Sequence, residues 1–282
     1  MTKDGSARCL LLDSTDIVNR AIEIHGAYPM VGAALGRVLT AASLMGSLLG
    51  DKTDLLTVRY DSLKEESGLC LASSDYMGNV RGFITRPAFL PPVKDGKIDL
   101  ESVFKNGDLF VLRDLEGKEP YTGIALIEHG DISSDIAVYY AKSEQIPTLC
   151  VIGVNLDKDF KCVSAGGLLI QLLPYADESI IDILENNTEK VESLTHSIKY
   201  DGLEKTFAKY LDGIEYDLFD SYRCDYVCHC SREKTDNALL SLGKEELLKM
   251  AEEPETELSC QFCDKKYNYS KAQLCELAER AK

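Results

Sequence analysis

Six of the ten cysteines in this 282-residue chain lie between position 224 and the C terminus, and four of them form two close pairs. Cys228-x-Cys230 is followed by 29 residues, 231 to 259, and then by Cys260-x-x-Cys263. Two such pairs can supply the four thiolates of a tetrahedral zinc site. A segment of this size buries little core by itself, so a metal would provide the stability it lacks. The same spacing also suits inert buried thiols, or a purely structural zinc site with no switching role. A third alternative is a thiol-disulfide oxidoreductase working through Cys260-x-x-Cys263, which needs that motif at the N-terminus of a helix in a thioredoxin-like unit. His229, Cys224 and Cys275 lie close enough in sequence to substitute for a ligand, but four cysteines already complete the set.

Composition narrows the field. With 47 acidic and 31 basic residues the formal net charge is -16. This repels a phosphate backbone, since non-specific nucleic-acid affinity comes from Lys and Arg displacing counterions. A nucleic-acid-binding zinc module is therefore disfavoured. The N-terminal residues lack a basic region followed by a sustained apolar run. The most apolar uncharged stretch, 38–49, has twelve residues, too few to span a bilayer. A cytosolic protein is expected, and no membrane partner. In the cytosol thiols stay reduced, so clustered cysteines point to metal or redox chemistry rather than to a disulfide framework. No enzyme signature stands out. Gly166-Gly167 is followed by LLIQLLP rather than by a phosphate-binding lysine. Cys9, Cys70, Cys150 and Cys162 are scattered and read as packing residues. His25, His129 and His196 are isolated.

Three segments must position the cysteines. Residues 1–175 read as a mixed α and β domain large enough to hold its own core and to fold without metal. Pro29 opens a long helix to Leu49, with apolar residues at helical spacing. Strands are predicted over 55–60, 68–73, 79–85, 109–114, 121–128 and 148–155, with a helix over 133–143. Residues 176–222 are acidic and helix-prone, with breaks at Glu185–Thr188 and at Asp201-Gly202. The apolar stripes of this linker (Ile180, Ile183, Leu184; Leu203, Phe207, Tyr210, Leu211) must lie on another surface. Residues 223–282 carry the cysteine pairs, helices over 234–241 and 244–251, and a last helix from Ser270, which with Gln273 fits a capping box.

The tail (Cys228-His229-Cys230-Ser231-Arg232-Glu233-Lys234, LLSLG at 239–243, Cys260-Gln261-Phe262-Cys263, Lys266-Tyr267) closely resembles that of the 33-kilodalton heat-shock chaperonins, the redox-regulated bacterial holdases. The blocks at 33–49, 78–85, 143–148 and 165–174 (AGGLLIQLLP) resemble theirs too, so the likeness spans nearly the whole chain. It implies an α+β protein with a core domain, a metastable helical linker and a C-terminal zinc domain. It also implies an ATP-independent chaperone rather than an enzyme, with unfolded or oxidatively damaged proteins as clients. One zinc per chain would be held by Cys228, Cys230, Cys260 and Cys263 in the reduced, inactive state. Oxidation would pair Cys228 with Cys230 and Cys260 with Cys263, release zinc, unfold tail and linker, and yield an active homodimer. Cys224 and Cys275 depart from the family motif, and the resemblance gives them no role.

Overall fold

The computed structural model describes residues 1–62, 68–88, 93–94, 97–98, 104, 107–127, 130–174, 176–177 and 179–281. His129, Tyr175 and the end of the strand expected at 121–128 lie outside them. The chain divides into two compact units, Met1–Val227 and Cys228–Lys282.

The first unit begins with β1 (Ala7–Asp13), α1 (Thr15–His25) and α2 (Pro29–Gly46). Next come β2 (Leu55–Ser62), β3 (Leu69–Asp75), β4 (Val80–Ile84), and the short β5 (Val93–Lys94) and β6 (Lys97–Ile98). It continues through β7 (Gly107–Asp114), β8 (Tyr121–Leu126), α3 (Ile132–Tyr139), β9 (Thr148–Leu156) and β10 (Cys162–Leu172), and ends with α4 (Ser179–Lys190) and α5 (Leu194–Tyr210). The strands pair antiparallel into a five-stranded sheet ordered β4-β3-β2-β7-β8, a three-stranded sheet ordered β1-β10-β9, and the hairpin β5-β6. Antiparallel sheets with separate helices make this an α+β fold, as expected.

α2 lies between the two larger sheets and is the centre of the core. Pro29 occupies its first turn, where a missing N–H costs nothing. Val31, Leu35, Val38, Leu39, Ala42 and Met45 are all buried. The helix has the length and apolarity to cross a membrane, but 83% of it is buried inside the fold. A helix apolar all round is what a position between two sheets demands. Glycine allows close approach here: a Cβ on Gly36 would lie 2.7 Å from a methyl of Val18 in α1.

β1, α1 and β10 are among the elements that have no counterpart among the sequence-predicted ones. β10 is the instructive case. It is the middle strand of its sheet, with α2 on one face and α5 on the other, and it is buried almost throughout. A strand buried on both faces has no apolar–polar alternation to detect. Gly166 and Gly167 belong here and not to a ligand loop. A Cβ on Gly167 would meet Leu44 of α2 at 2.6 Å, and one on Gly166 would collide with Ile198 of α5.

The apolar stripes of 176–222 do find a surface. Ile180 and Leu184 of α4 and Leu194, Ile198, Phe207 and Tyr210 of α5 pack with Ala7, Leu168 and Ile170 into a second core. Ile183 and Leu203, counted in the stripes, remain partly exposed. The break expected at Glu185–Thr188 does not occur, because α4 runs through it. Asn187 is tolerated mid-helix because its Nδ2 donates to the carbonyls of Tyr210 (3.2 Å) and Asp212 (2.8 Å), satisfying the end of α5. The break at Gly202 is present: its φ of 80° interrupts α5. The helix expected over 133–143 is α3 followed by a π-helical turn, Tyr140–Glu144.

The second unit contains α6 (Arg232–Leu240), α7 (Lys244–Met250), the antiparallel hairpin β11 (Glu255–Ser259) and β12 (Lys266–Ser270), and α8 (Lys271–Arg280). Its core is small: Leu239, Leu247, Ala251, Tyr267, Tyr269, Leu274, Leu277 and Ala278. The capping box read from Ser270 and Gln273 starts α8, with both reciprocal hydrogen bonds formed.

Candidate metal centre

Cys228 and Cys230 sit in an irregular segment that ends where Ser231 caps α6, its hydroxyl accepting from the Lys234 N–H at 3.2 Å. Cys260 and Cys263 sit in the turn between β11 and β12. There the Cys260 carbonyl accepts from the N–H of Cys263 (3.3 Å) and of Asp264 (2.8 Å). Asp264 closes the turn with a φ of 55°, a conformation Asp tolerates better than most residues. Register in the hairpin, with Ser259 opposite Lys266, thus fixes where the second pair points.

The four sulfurs all lie within 4.8 Å of one another. Cys228 Sγ is 3.7 Å from Cys260 Sγ, and Cys230 Sγ is 3.4 Å from Cys263 Sγ. A tetrahedron with metal–sulfur bonds of about 2.3 Å has edges of about 3.8 Å, so the donor set fits a tetrahedral thiolate-binding ion. Among the described residues these four cysteines form the one metal-competent group of His, Cys, Asp or Glu.

The thiols do not titrate alike. Burial pushes Cys228 up to about 12, reinforced by hydrogen bonds with Cys263, Cys230 and Cys260. Burial also raises Cys263. Burial opposes ionisation of Cys230 as well, but hydrogen bonds from Tyr267, Cys263, Cys228 and Cys260 outweigh it and bring Cys230 down to about 7. The Tyr267 hydroxyl donates to Cys230 Sγ at 3.1 Å. Tyr267 stood next to the cysteine motif in the sequence, but its role depends on the β11–β12 register and was not legible there. Of these three thiols Cys230 ionises most readily, because its neighbours can donate to it.

The other sequence candidates lie elsewhere. His229 points outward and is exposed, and Cys275 lies on α8 against the small core. Cys224 belongs to the first unit, where its thiol donates to the Met77 carbonyl at 3.3 Å. Cys70 and Cys150 are buried, with their ionisation strongly opposed by desolvation, and burial pushes Cys9 and Cys162 up to about 11. All four are packing residues in chemistry as well as in place. His25 bonds the Gly82 carbonyl and His196 lies against Tyr200. Cys260-x-x-Cys263 occupies a hairpin turn, without the helix N-terminus that activates oxidoreductase thiols.

Fold and site together define an α+β protein carrying a small tetracysteine module at its C-terminal end. The family model for Hsp33 protein matches residues 1–270. A 33 kDa chaperonin of Clostridium tetani is 39% identical over 279 residues, covering 98% of this chain and 95% of the relative. One from Clostridium botulinum (strain 657 / Type Ba4) is 37% identical over 284 residues, covering 99% and 95%. The crystal structure of the 33 kDa chaperonin of Thermotoga maritima superposes with a TM-score of 0.89 at 29% identity, covering 98% of this chain and 95% of that one. The chain belongs to the Hsp33 family, a family of chaperones.

Proposed function

We propose that the protein is a redox-controlled, ATP-independent holdase. In its reduced form Cys228, Cys230, Cys260 and Cys263 hold one zinc ion and the chaperone is inactive. In its oxidised form Cys228–Cys230 and Cys260–Cys263 disulfides replace the thiolates, and the chaperone binds unfolding proteins as a homodimer. The observation that carries this reading is the convergence of four sulfurs from two distant sequence pairs to within 4.8 Å of one another. A bound zinc would tie the α6 end of the unit to the β11–β12 turn. Thiolates make that tie and oxidised sulfurs do not. In a cytosol held reducing, such a site stays closed until stress oxidises it. The decisive test is client aggregation at elevated temperature, without nucleotide, in reduced and oxidised protein. Equal suppression by the two forms would sink the reading.

In the same reading, residues 1–175 are the chaperone core, 176–222 a metastable cover, and 223–282 the redox sensor. The cover lies on apolar surface, since α4 and α5 shield Leu168 and Ile170. A fragment of residues 1–175 should therefore fold without zinc around α2, yet bind more of a hydrophobic dye than the full chain. A molten NMR spectrum for the fragment would count against the boundary.

Metal binding should also depend on acidity. Zinc needs thiolates, and protons compete for them. At neutral pH Cys228 and Cys263 carry their protons and Cys230 is about half ionised, so loading expels protons from all three. As pH falls below about 7, each proton that loading displaces lowers apparent zinc affinity by roughly tenfold per unit, and four thiolate ligands make the dependence steep. Competition titration with a chromophoric chelator at several pH values reads this slope. A pH-independent affinity between 5 and 7 would contradict thiolate ligation.

A further inference from the structure

The two edges of the five-stranded sheet are β4 and β8. An edge strand presents a row of main-chain donors and acceptors that can template another chain. On β4 that row is occupied. Residues 223–227, the end of the first unit, run beside it in extended form and make a parallel bridge between Tyr226 and Val80. The Val80 N–H donates to the Asp225 carbonyl at 2.9 Å, and the Val227 N–H donates to the Val80 carbonyl at 2.9 Å. Two residues along, the main chain of the strap no longer reaches, and the Tyr226 side chain takes its place. Its hydroxyl donates to the Gly82 carbonyl at 2.8 Å and accepts from the Gly82 N–H at 3.3 Å. His25 Nε2 meets the same carbonyl at 2.9 Å. Cys224 and Tyr226 cover apolar residues of the α2-centred core. The pairing is thus short: one main-chain bridge, one aromatic anchor, a thiol contact and the Asp225 N–H donating to the Asn79 side chain at 3.1 Å.

This geometry is that of β-strand addition, in which main-chain bonds give affinity and a side-chain pocket gives selectivity. We infer that the outer edge of β4 is a docking site for an extended polypeptide, filled in cis by residues 224–227 and in trans by an extended, aromatic-bearing segment of an unfolded client once those residues leave. The occupant follows from the seated segment itself: extended, held by backbone, anchored by one tyrosine. A longer client strand would pair both Val80 and Gly82 through main chain, where the strap must use a side chain at the second. The trans half rests on the client-holding reading above; the cis half does not.

The test uses the full chain and a dye-labelled peptide of residues 221–227 carrying Cys224→Ser. Tyr226→Ala in the full chain should free the edge. Val227→Pro, which deletes the N–H to Val80 and keeps Tyr226, is the second variant should the first fold poorly. The peptide should bind either variant at least about tenfold tighter than the reduced wild-type chain, where the tethered strap competes. It should protect the Val80 amide from exchange. Tyr226→Ala in the peptide should cost at least about tenfold in affinity. An unfolding client should displace it from the oxidised chain. Peptide binding that ignores both variants and leaves Val80 unprotected overturns the docking edge, whether or not clients bind. Clients held while the peptide stays bound, or variants that self-associate through residues 80–84 without displacement by client, overturn the client as occupant.

Discussion

Replacing Cys260 and Cys263 together by serine should strip the reduced protein of zinc and unfold residues 228–282, while residues 1–227 stay folded. The second unit spans 55 residues, counting from 228 to 282, and its core consists of eight buried side chains, two of them alanines. Domains of this size sit near the limit of independent stability. Structural zinc contributes roughly 10–16 kcal/mol in comparable modules, more than a typical domain's whole net stability of about 5–15 kcal/mol. Loss of the metal therefore decides the fold of the unit. Its remaining ties do not compensate. They include the β11–β12 hairpin, the Tyr269 hydroxyl donating to Asp236 at 2.6 Å, Arg232 donating to the Asn268 carbonyl at 2.7 Å, and Arg232 stacked 3.6 Å from the Tyr269 ring. The first unit holds two larger cores built without these cysteines. Elemental analysis and amide dispersion by NMR read both halves of the expectation. One zinc retained per chain in the double variant, or a unit that stays dispersed without metal, would overturn the assignment of these residues as ligands.

How far the sequence reached follows the physics of each element. The cysteine pairs were legible because metal coordination works through residue type and spacing, both of which survive in one dimension. The long apolar helix around Leu35 and Leu39, the half-buried strands of the larger sheet, and the cap at Ser270 were legible because local periodicity or local hydrogen bonding defines them. β10 was not, because burial on both faces erases alternation. The continuity of α4 through Asn187 was not, because a tertiary contact to the end of α5 overrides local propensity. The β11–β12 hairpin escaped too. Its strands alternate exposed residues with buried or half-buried ones, but the two cysteines occupy the turn where Gly or Asn would have marked a hairpin. The strap on β4 rests on pairing between residues about 146 positions apart in sequence, such as Asp225 and Asn79, and has no local signature.

Peroxide with mild heating should release zinc from the reduced protein and switch on suppression of client aggregation, and reductant with zinc should reverse both. Once the metal loosens, Cys230 is the free thiol whose hydrogen-bonded neighbours bring it down to about 7, near ambient pH. Which sulfur it joins decides the outcome. Cys230 Sγ lies 3.4 Å from Cys263 Sγ, and Cys228 Sγ lies 3.7 Å from Cys260 Sγ. Bridges in that pattern would close loops of about 33 residues and tie the same two ends that zinc ties, keeping the unit folded. Bridges within pairs, Cys228–Cys230 and Cys260–Cys263, each close only a turn and leave the two ends unconnected. A switch that works by unfolding therefore requires the within-pair pattern. Peptide mapping of the oxidised protein should find it, and hydrogen exchange should show protection lost across 228–282 and then across 176–222. Heat assists because α4 and α5 are held mainly by one apolar face and interrupted at Gly202, so their opening is the step with least to lose. Cross-pair disulfides, or full protection of 176–282 in active, zinc-free protein, would rule this switch out for this chain.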